Sequence, residues 1–532
     1  MAEKIHQVKS SLAPKDIAVL GVLTAMMLGA LLRFTPPALA GFPLNDGGMF
    51  YTIIADLGKS NYALPAWTTY NGSTIPLAYP PLGFYFARIL IDLFHVTALQ
   101  VLLWLPAVIS LLAIPAFYGL AREILTEEIP AALATLIFAF SPRSFSWFVM
   151  GGGLTRALGM LGLLLTLSAA AKLFKTPSRK NLWLTILCGG LTVLSHPEAI
   201  VHTIGAAVWL WLAASRKKSA LIDAIKVCAG VIAWTSPWWG TILMQHGPAP
   251  FLNASHTGFQ SLSLAIIPFY FTEEPFMTII AVLGIIGIFG EIRRRNLFLP
   301  GWIILAFLIE PRSAAWVANL ALTMLAAVAL DQIILPGLAS VSKKPALTAG
   351  DARYQGWSAK LLLGYLLFYL LGSSYLYTLN LATVFLSNSH RAAMAWVQEN
   401  TPANSRFILL TPGSDYPMRD PVQEWFPALA ERISLTTMQG QEWTFGASFG
   451  QAIAENRGLQ ACAGQTTVCL DTETAKTGKN FDFIYLNKKT DYQLGPGWVT
   501  QVDSSVLVQA LSISKQYRQV YENDSVIIFR HN

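Results

Sequence analysis

The chain has 532 residues, of which 54% are hydrophobic and 13% charged, with a net charge of +7 and a mean hydropathy of +0.47. Soluble domains carry about 25% charged residues, so an ordinary soluble enzyme, a fibre and a disordered chain are excluded. Four cysteines exclude a disulfide-built scaffold, and the basic excess lies in short loops between apolar runs, which argues for membrane topology and against nucleic acid.

Apolar runs near 20 residues recur through the first 385 positions and read as transmembrane helices. In chain order they fall at 16–34, 99–120, 130–147, 157–174, 182–197, 199–214, 224–242, 276–290, 297–310, 315–335 and 359–379, which makes eleven spans. A further stretch, 80–96, starts with Pro80-Pro81 and carries Arg88 and Asp92, which suits a helix at the membrane surface; the alternative is a twelfth span, which would invert the later loops and lose the charge bias. The first run lacks a small-residue cleavage site and reads as an anchor. With the N-terminus in the cytoplasm, 19 of the 25 Lys and Arg before residue 386 fall in inside loops, as the positive-inside rule requires. An odd number of spans then places residues 386–532 outside the cell.

Charge marks the same division. Residues 1–385 carry net +9 and residues 386–532 net −2. The first block is expected to be a mainly α, polytopic helical bundle with a long first outside loop, 35–98. The second is expected to be a small extracytoplasmic α/β domain. Its signals are a helix at 389–399 and β-prone runs at 406–410, 481–486 and 525–530. Cys462 and Cys469 are a disulfide candidate there, whereas Cys188 and Cys228 lie in spans and read as packing residues.

The residues that suggest chemistry cluster at the outer ends of the spans. In the first loop, Asp46 follows Asn45 and precedes Gly47-Gly48, ahead of an amphipathic helix at 49–58. The residue types leave two roles open: general base for an acceptor hydroxyl or amine, or N-cap of that helix. Arg143 and Arg156 flank the Gly151-Gly152-Gly153 turn and suit a phosphate, or headgroup snorkelling. Arg312, after Glu310-Pro311, is a third phosphate candidate or a partner of Glu310.

Between the fifth and sixth spans, His196 and Glu198 are substrate-contact candidates or a hydrogen-bonded structural pair. Trp238, Trp239 and His246 end the seventh span, where tandem Trp is either a belt anchor or a stacking surface for a sugar. His256, Glu273 and Glu274 follow. No third ligand accompanies His196 and Glu198 at metal spacing, so no metal or other cofactor is expected. Asp46, Arg143, Arg156, His196, Glu198 and Arg312 all reach one face on this topology, and no comparable set lies mid-span.

Asp46 soon after the first span, Tyr79-Pro80-Pro81-Leu82 later in the same loop, GGGLTRALG at 151–159 and EWFPALAERISLTTMQGQEW at 424–443 together resemble the polytopic GT-C glycosyltransferases. That class includes protein O-mannosyltransferases and the lipid A aminoarabinose transferase. The resemblance implies a sugar donor carried on polyprenyl phosphate and transfer, on the outer face, to a glycan, lipid or protein. It implies Asp46 as the acceptor-activating base and one or more of Arg143, Arg156 and Arg312 on the donor phosphate. Tyr79, His196, Glu198, Trp238, Trp239 and His246 are then candidates for substrate contact. Asn45 stands where many relatives carry a second acid, and the WWDYG element of oligosaccharyltransferases is absent. The alternative is a non-catalytic protein of this architecture that binds a lipid-linked glycan in envelope assembly. A transporter is disfavoured, since no charged set or repeat marks the bilayer midplane.

Overall fold

The computed structural model describes residues 13–72, 74–214, 218–255, 278–341, 354, 356–412, 417–488 and 503–532. His256, Glu273 and Glu274 lie outside the described residues.

Each apolar run coincides with a helix. They are α1 (Pro14–Ala40), then, after the loop helices α2 (Gly48–Lys59) and α3 (Leu82–Phe94), α4 (Ala98–Leu125), α5 (Glu128–Phe140), α6 (Gly153–Lys175), α7 (Arg179–Val193), α8 (Pro197–Ala214) and α9 (Lys218–His246). After α10 (Ala249–Ser255) come α11 (Ile279–Arg293), α12 (Phe298–Ile309), α13 (Ala314–Ala329) and the helix Trp357–Leu381. Among the described residues, six helical stretches are long and apolar enough to cross a membrane: α1, α4, α6, α9, Ala314–Ser340 and Trp357–Leu381. The others, such as α5 with 13 residues and α12 with 12, are shorter.

Local chemistry sets the helix ends. Thr97 and Gln100 form a reciprocal capping box that starts α4. Ser178 accepts from the Asn181 N–H at 3.1 Å to start α7. The stretch that begins with α13 is the most enclosed of the six, with 83% of its apolar window buried, and α13 packs on α5, α11 and α12. Arg33, fully buried near the end of α1, is held by main-chain oxygens of Ser110 and Ala139 and by the Ser144 hydroxyl, at 3.0–3.2 Å.

The first loop is folded. It holds α2, the short antiparallel pair β1 (Trp67–Thr68) and β2 (Ile75–Pro76), and α3. Residue α3 positions Arg88 and Asp92 form an ion pair one turn apart, which leaves a polar stripe on this helix.

The C-terminal portion is a five-stranded mixed sheet in the order β4-β3-β5-β7-β6. Its strands are β3 (Arg406–Leu410), β4 (Ile433–Ser434), β5 (Phe483–Asn487), β6 (Tyr517–Glu522) and β7 (Val526–His531). The three central strands are apolar on both faces because both faces are covered. Ile408, Leu410, Ile484, Leu486, Ile527 and Phe529 share one core with Leu459, Leu470, Leu507 and Leu511 of the flanking helices. Phe407, Leu409, Phe483, Tyr485, Val526 and Ile528 share another core with α2, α3 and the helices Asn388–Asn400 and Pro421–Leu429. The C-terminal portion and the first loop therefore fold around one hydrophobic core. Cys462 and Cys469 form a disulfide between the helices Phe449–Ala461 and Thr467–Thr477.

Candidate active site

Asp46 sits in a turn that three parts of the chain hold. The Asn45 N–H donates to the Val384 carbonyl at 2.8 Å, and Leu44 bridges Phe385. The Gly151 N–H donates to the Leu44 carbonyl at 3.0 Å, which lays the glycine turn along this segment. The Trp425 indole N–H donates to the Asn45 carbonyl at 3.0 Å.

The Asp46 carboxylate accepts the Gly152 N–H at 2.8 Å and forms an ion pair with the Arg156 guanidinium. The cap reading is therefore corrected. The residue before α2 is Gly47, at φ +123°, and no side chain caps the helix. Asp46 is turned away to the glycine turn. The glycines have a steric reason as well: a Cβ on Gly152 would lie 2.5 Å from both Asp46 Oδ2 and Arg156 Nη2. The Asp46 side chain keeps 16% exposure, so the acid is held and still reachable.

Arg156 also packs over Trp147, its Cζ 5.4 Å from the ring centroid, and Arg419 of the C-terminal portion lies 5.9 Å from the same ring. The Arg156 Nε is buried with no hydrogen-bond partner among the described residues. Arg143 lies on the turn Pro142–Ser144.

Beyond Arg156 lies an aromatic wall. The Tyr79 hydroxyl is 3.3 Å from Thr155 Oγ1, and its ring packs against His196 and Trp443. Burial raises the Tyr79 phenol well above its ordinary range. His196 is buried in the turn before α8 and packs on α6 at Gly159, where a Cβ would lie 2.6 Å from its own. Burial, with the Arg156 and Arg312 charges, lowers its pKa to about 3, so the imidazole is neutral.

Arg312 pairs with Glu198 at 3.4 Å. In place of an Arg312–Glu310 side-chain pair, the Glu310 carboxylate accepts the main-chain N–H groups of Arg312 and Ser313 at 3.1 and 2.7 Å, in the turn before α13. Across from Arg312, burial raises the Glu442 carboxyl.

Three expected contact residues have partners within the fold. Trp238 is buried with Ala78, Ile242 and Trp443, behind Tyr79. The Trp239 indole donates to the Ile232 carbonyl at 3.2 Å within α9. His246 Nε2 is 2.8 Å from the Ala66 carbonyl, and its ring meets Trp67, which ties α9 to the first loop.

Glu424, Arg419 and Glu442 escaped the sequence reading as site residues. Each reaches the region from the C-terminal portion. The available signal was the run of charged and amide side chains among apolar ones in 424–443. Glu424 is 4% exposed, and its Oε1 accepts the Gly47 N–H at 2.8 Å. Among the described residues no three His, Cys, Asp or Glu form a metal-binding group.

Residues 78–240 match the sequence model of the family described as dolichyl-phosphate-mannose-protein mannosyltransferase. That segment carries Tyr79, the glycine turn, Arg156, His196 and Glu198. No curated protein matches the chain. Three of the solved structures that share its fold are as follows. The ArnT of Cupriavidus metallidurans bound to undecaprenyl phosphate is 16% identical, with a TM-score of 0.54 over 97% of this chain and 98% of that one. The archaeal oligosaccharyltransferase AglB of Archaeoglobus fulgidus, in complex with an inhibitory peptide and a dolichol-phosphate, is 14% identical, with a TM-score of 0.55 over 90% of this chain and 70% of that one. The mycobacterial arabinofuranosyltransferase AftD is 15% identical, with a TM-score of 0.56 over 98% of this chain and 40% of that one. Over residues 78–240 the chain is thus similar in sequence to the dolichyl-phosphate-mannose-protein mannosyltransferases, and over nearly its whole length it has the fold of the membrane glycosyltransferases ArnT, AglB and AftD.

Proposed function

We propose that the protein transfers a sugar from a polyprenyl-phosphate carrier to an acceptor on the outer face of the membrane. Eleven helices span the bilayer in this reading. The N-terminus is cytoplasmic, residues 1–385 form the membrane block and residues 386–532 form the extracytoplasmic domain. The carrier lipid is supported by the family match and by the lipid phosphates bound to ArnT and AglB.

One observation carries the catalytic part. A partly exposed carboxylate, Asp46, is fixed by a main-chain N–H and by an arginine at the end of the helical bundle. Asp46 accepts the proton of the acceptor hydroxyl or amine as that atom attacks the anomeric carbon. The bond from that carbon to the phosphate oxygen breaks, and polyprenyl phosphate leaves with the electron pair. Arg156, through its unpartnered Nε, lies beside that developing charge, and such fixed donors do their electrostatic work without reorganising. Tyr79, neutral His196 and Glu198 line the sugar. Arg312 holds Glu198.

The test is a transfer assay on purified, detergent-solubilised protein with a panel of polyprenyl-phosphate sugars, following release of polyprenyl phosphate. Asp46→Asn should lose turnover by roughly 10²–10⁴-fold, the scale of general-base catalysis, and keep donor binding. Release that persists unchanged in Asp46→Asn would remove the base assignment. Donor binding without release by the native protein, across varied acceptors, would favour the non-catalytic carrier-binding reading.

A further inference from the structure

We propose that Glu424 is a positioning residue for the reaction: it holds the backbone beside Asp46 and sets the charge that Asp46 experiences. The proposal rests on Asp46 being the base. It makes the C-terminal portion a working part of the site rather than an appendage.

Glu424 lies on the helix Pro421–Leu429, which Asp420 caps through the Val422 and Gln423 N–H groups. Its two carboxyl oxygens have different tasks. Oε1 accepts the N–H of Gly47, the residue after Asp46, and Oε2 accepts from Gln439 Nε2 at 2.7 Å. Gln439 Nε2 also donates to the Met418 carbonyl at 2.9 Å. Arg419 follows Met418 and packs on Trp147, which packs on Arg156, which pairs with Asp46. The contacts close a ring that runs from Asp46 through the membrane helix and the C-terminal portion and back to Gly47. Gly48 lies flush against this helix too, since a Cβ there would come within 2.5 Å of the Glu424 carbonyl.

Both carboxyl oxygens accept, so a glutamine could keep only one of the two bonds: its amide nitrogen would face either the Gly47 N–H or Gln439 Nε2, donor against donor. The groups facing Glu424 are Asp46 from the loop, Arg156 from α6 and Tyr70, whose hydroxyl donates to the Glu424 carbonyl at 2.7 Å, with Glu442 behind Tyr70. Burial raises the Glu424 carboxyl, and the Asp46 charge raises it further. The effect is mutual: an ionised Glu424 makes Asp46 more basic, while Arg156 makes it less so. The second acid, absent next to Asp46 in sequence, is supplied through the fold.

The experiment compares native protein, Glu424→Gln and Asp46→Asn. It measures kcat, KM and the pH–rate profile with the polyprenyl-phosphate sugar that the native protein turns over, together with undecaprenyl phosphate binding and thermal melting. Glu424→Gln should fold, bind undecaprenyl phosphate equally and keep the donor KM. Its kcat should fall by roughly tenfold or more, as displaced catalytic groups do, and the change in the native profile above neutral pH, where the raised Glu424 carboxyl ionises, should disappear. A Glu424→Gln variant that folds and shows native kcat and the native pH–rate profile overturns the proposal while leaving Asp46 as the base. Should Glu424→Gln fail to fold, Glu424→Asp keeps a titrating carboxyl and shortens the reach. It should keep a change above neutral pH and lose kcat, and native kcat there overturns the proposal. Native turnover by Asp46→Asn removes the base reading, and this proposal with it, whatever Glu424→Gln shows.

Discussion

Gly152 donates its N–H to Asp46 and leaves no room for a side chain beside the Asp46–Arg156 pair. Gly152→Ala should therefore displace that pair while the helix behind it stays intact. The expected result is a loss in kcat of about tenfold to a hundredfold, the effect of moving a catalytic group by about an ångström, with melting nearly unchanged. Parallel kinetics and thermal unfolding in detergent check it. Arg33 gives the opposite pattern. Its guanidinium serves the Ser110 and Ala139 carbonyls and the Ser144 hydroxyl. Arg33→Ala strands these acceptors, each at about 1–3 kcal/mol, so melting should fall sharply. Asp46 and Arg156 were legible because a charge at a span end stands out from an apolar background. Their direct pairing, across 110 positions, was not. Glu424, 377 positions from Gly47, looked like an ordinary charge on a soluble domain.

At the scale of elements, one side chain stitches the first loop to the C-terminal sheet. Asn71, at φ +49°, donates to the Ser434 carbonyl at 3.1 Å and accepts the Ser434 N–H at 2.7 Å. Asn71→Ala loses both bonds and places alanine in a left-handed conformation, which should cost about 2–3 kcal/mol. Increased proteolysis of the loop and a lower melting temperature would register it. The Cys462–Cys469 disulfide closes a short loop away from Asp46. The chain-entropy relation assigns such a loop about 2–3 kcal/mol. Cys462→Ser with Cys469→Ser should lower melting of the C-terminal portion and leave kcat within about twofold, a change under about 0.5 kcal/mol. Helix positions were legible because apolar runs must match the thickness of a bilayer. The strands at 406–410 and 526–531 were legible from their β-branched and aromatic residues. The shared core of loop and sheet was hidden, because a strand that is apolar on both faces does not name what covers each one.

For the whole molecule, pH acts on stability through buried groups of opposite sense. The His196 pKa lies near 3 in the fold, so the unfolded chain takes up its proton first. Stability should fall as pH drops from about 6.5 toward 3, with a limiting slope of about 1.4 kcal/mol per pH unit, and His196→Asn should flatten that arm. Glu424 is raised in the fold. Its contribution is full below the ordinary carboxylate range and is lost as pH rises, and Glu424→Gln should flatten this second arm. Melting temperature against pH, in one detergent, reads both. Orientation is testable as well. Ile513 is 79% exposed on the C-terminal portion, so Ile513→Cys should react with a membrane-impermeant maleimide in intact cells. Labelling only after lysis would invert the proposed topology.

The sequence by itself determined the membrane class, the positions of the helices and the small α/β portion, and it singled out Asp46 and Arg156 as candidates. These follow from local composition: hydrocarbon excludes charge, and a charge kept at its edge stands out. Only the tertiary structure decided which groups surround Asp46. It turned the carboxylate from the helix start to the glycine turn, gave Arg312 to Glu198, left Trp239 and His246 to the scaffold, and brought Glu424 and Arg419 from the far end of the chain. Such neighbours depend on packing two distant segments around one core, and no spacing along the chain encodes that.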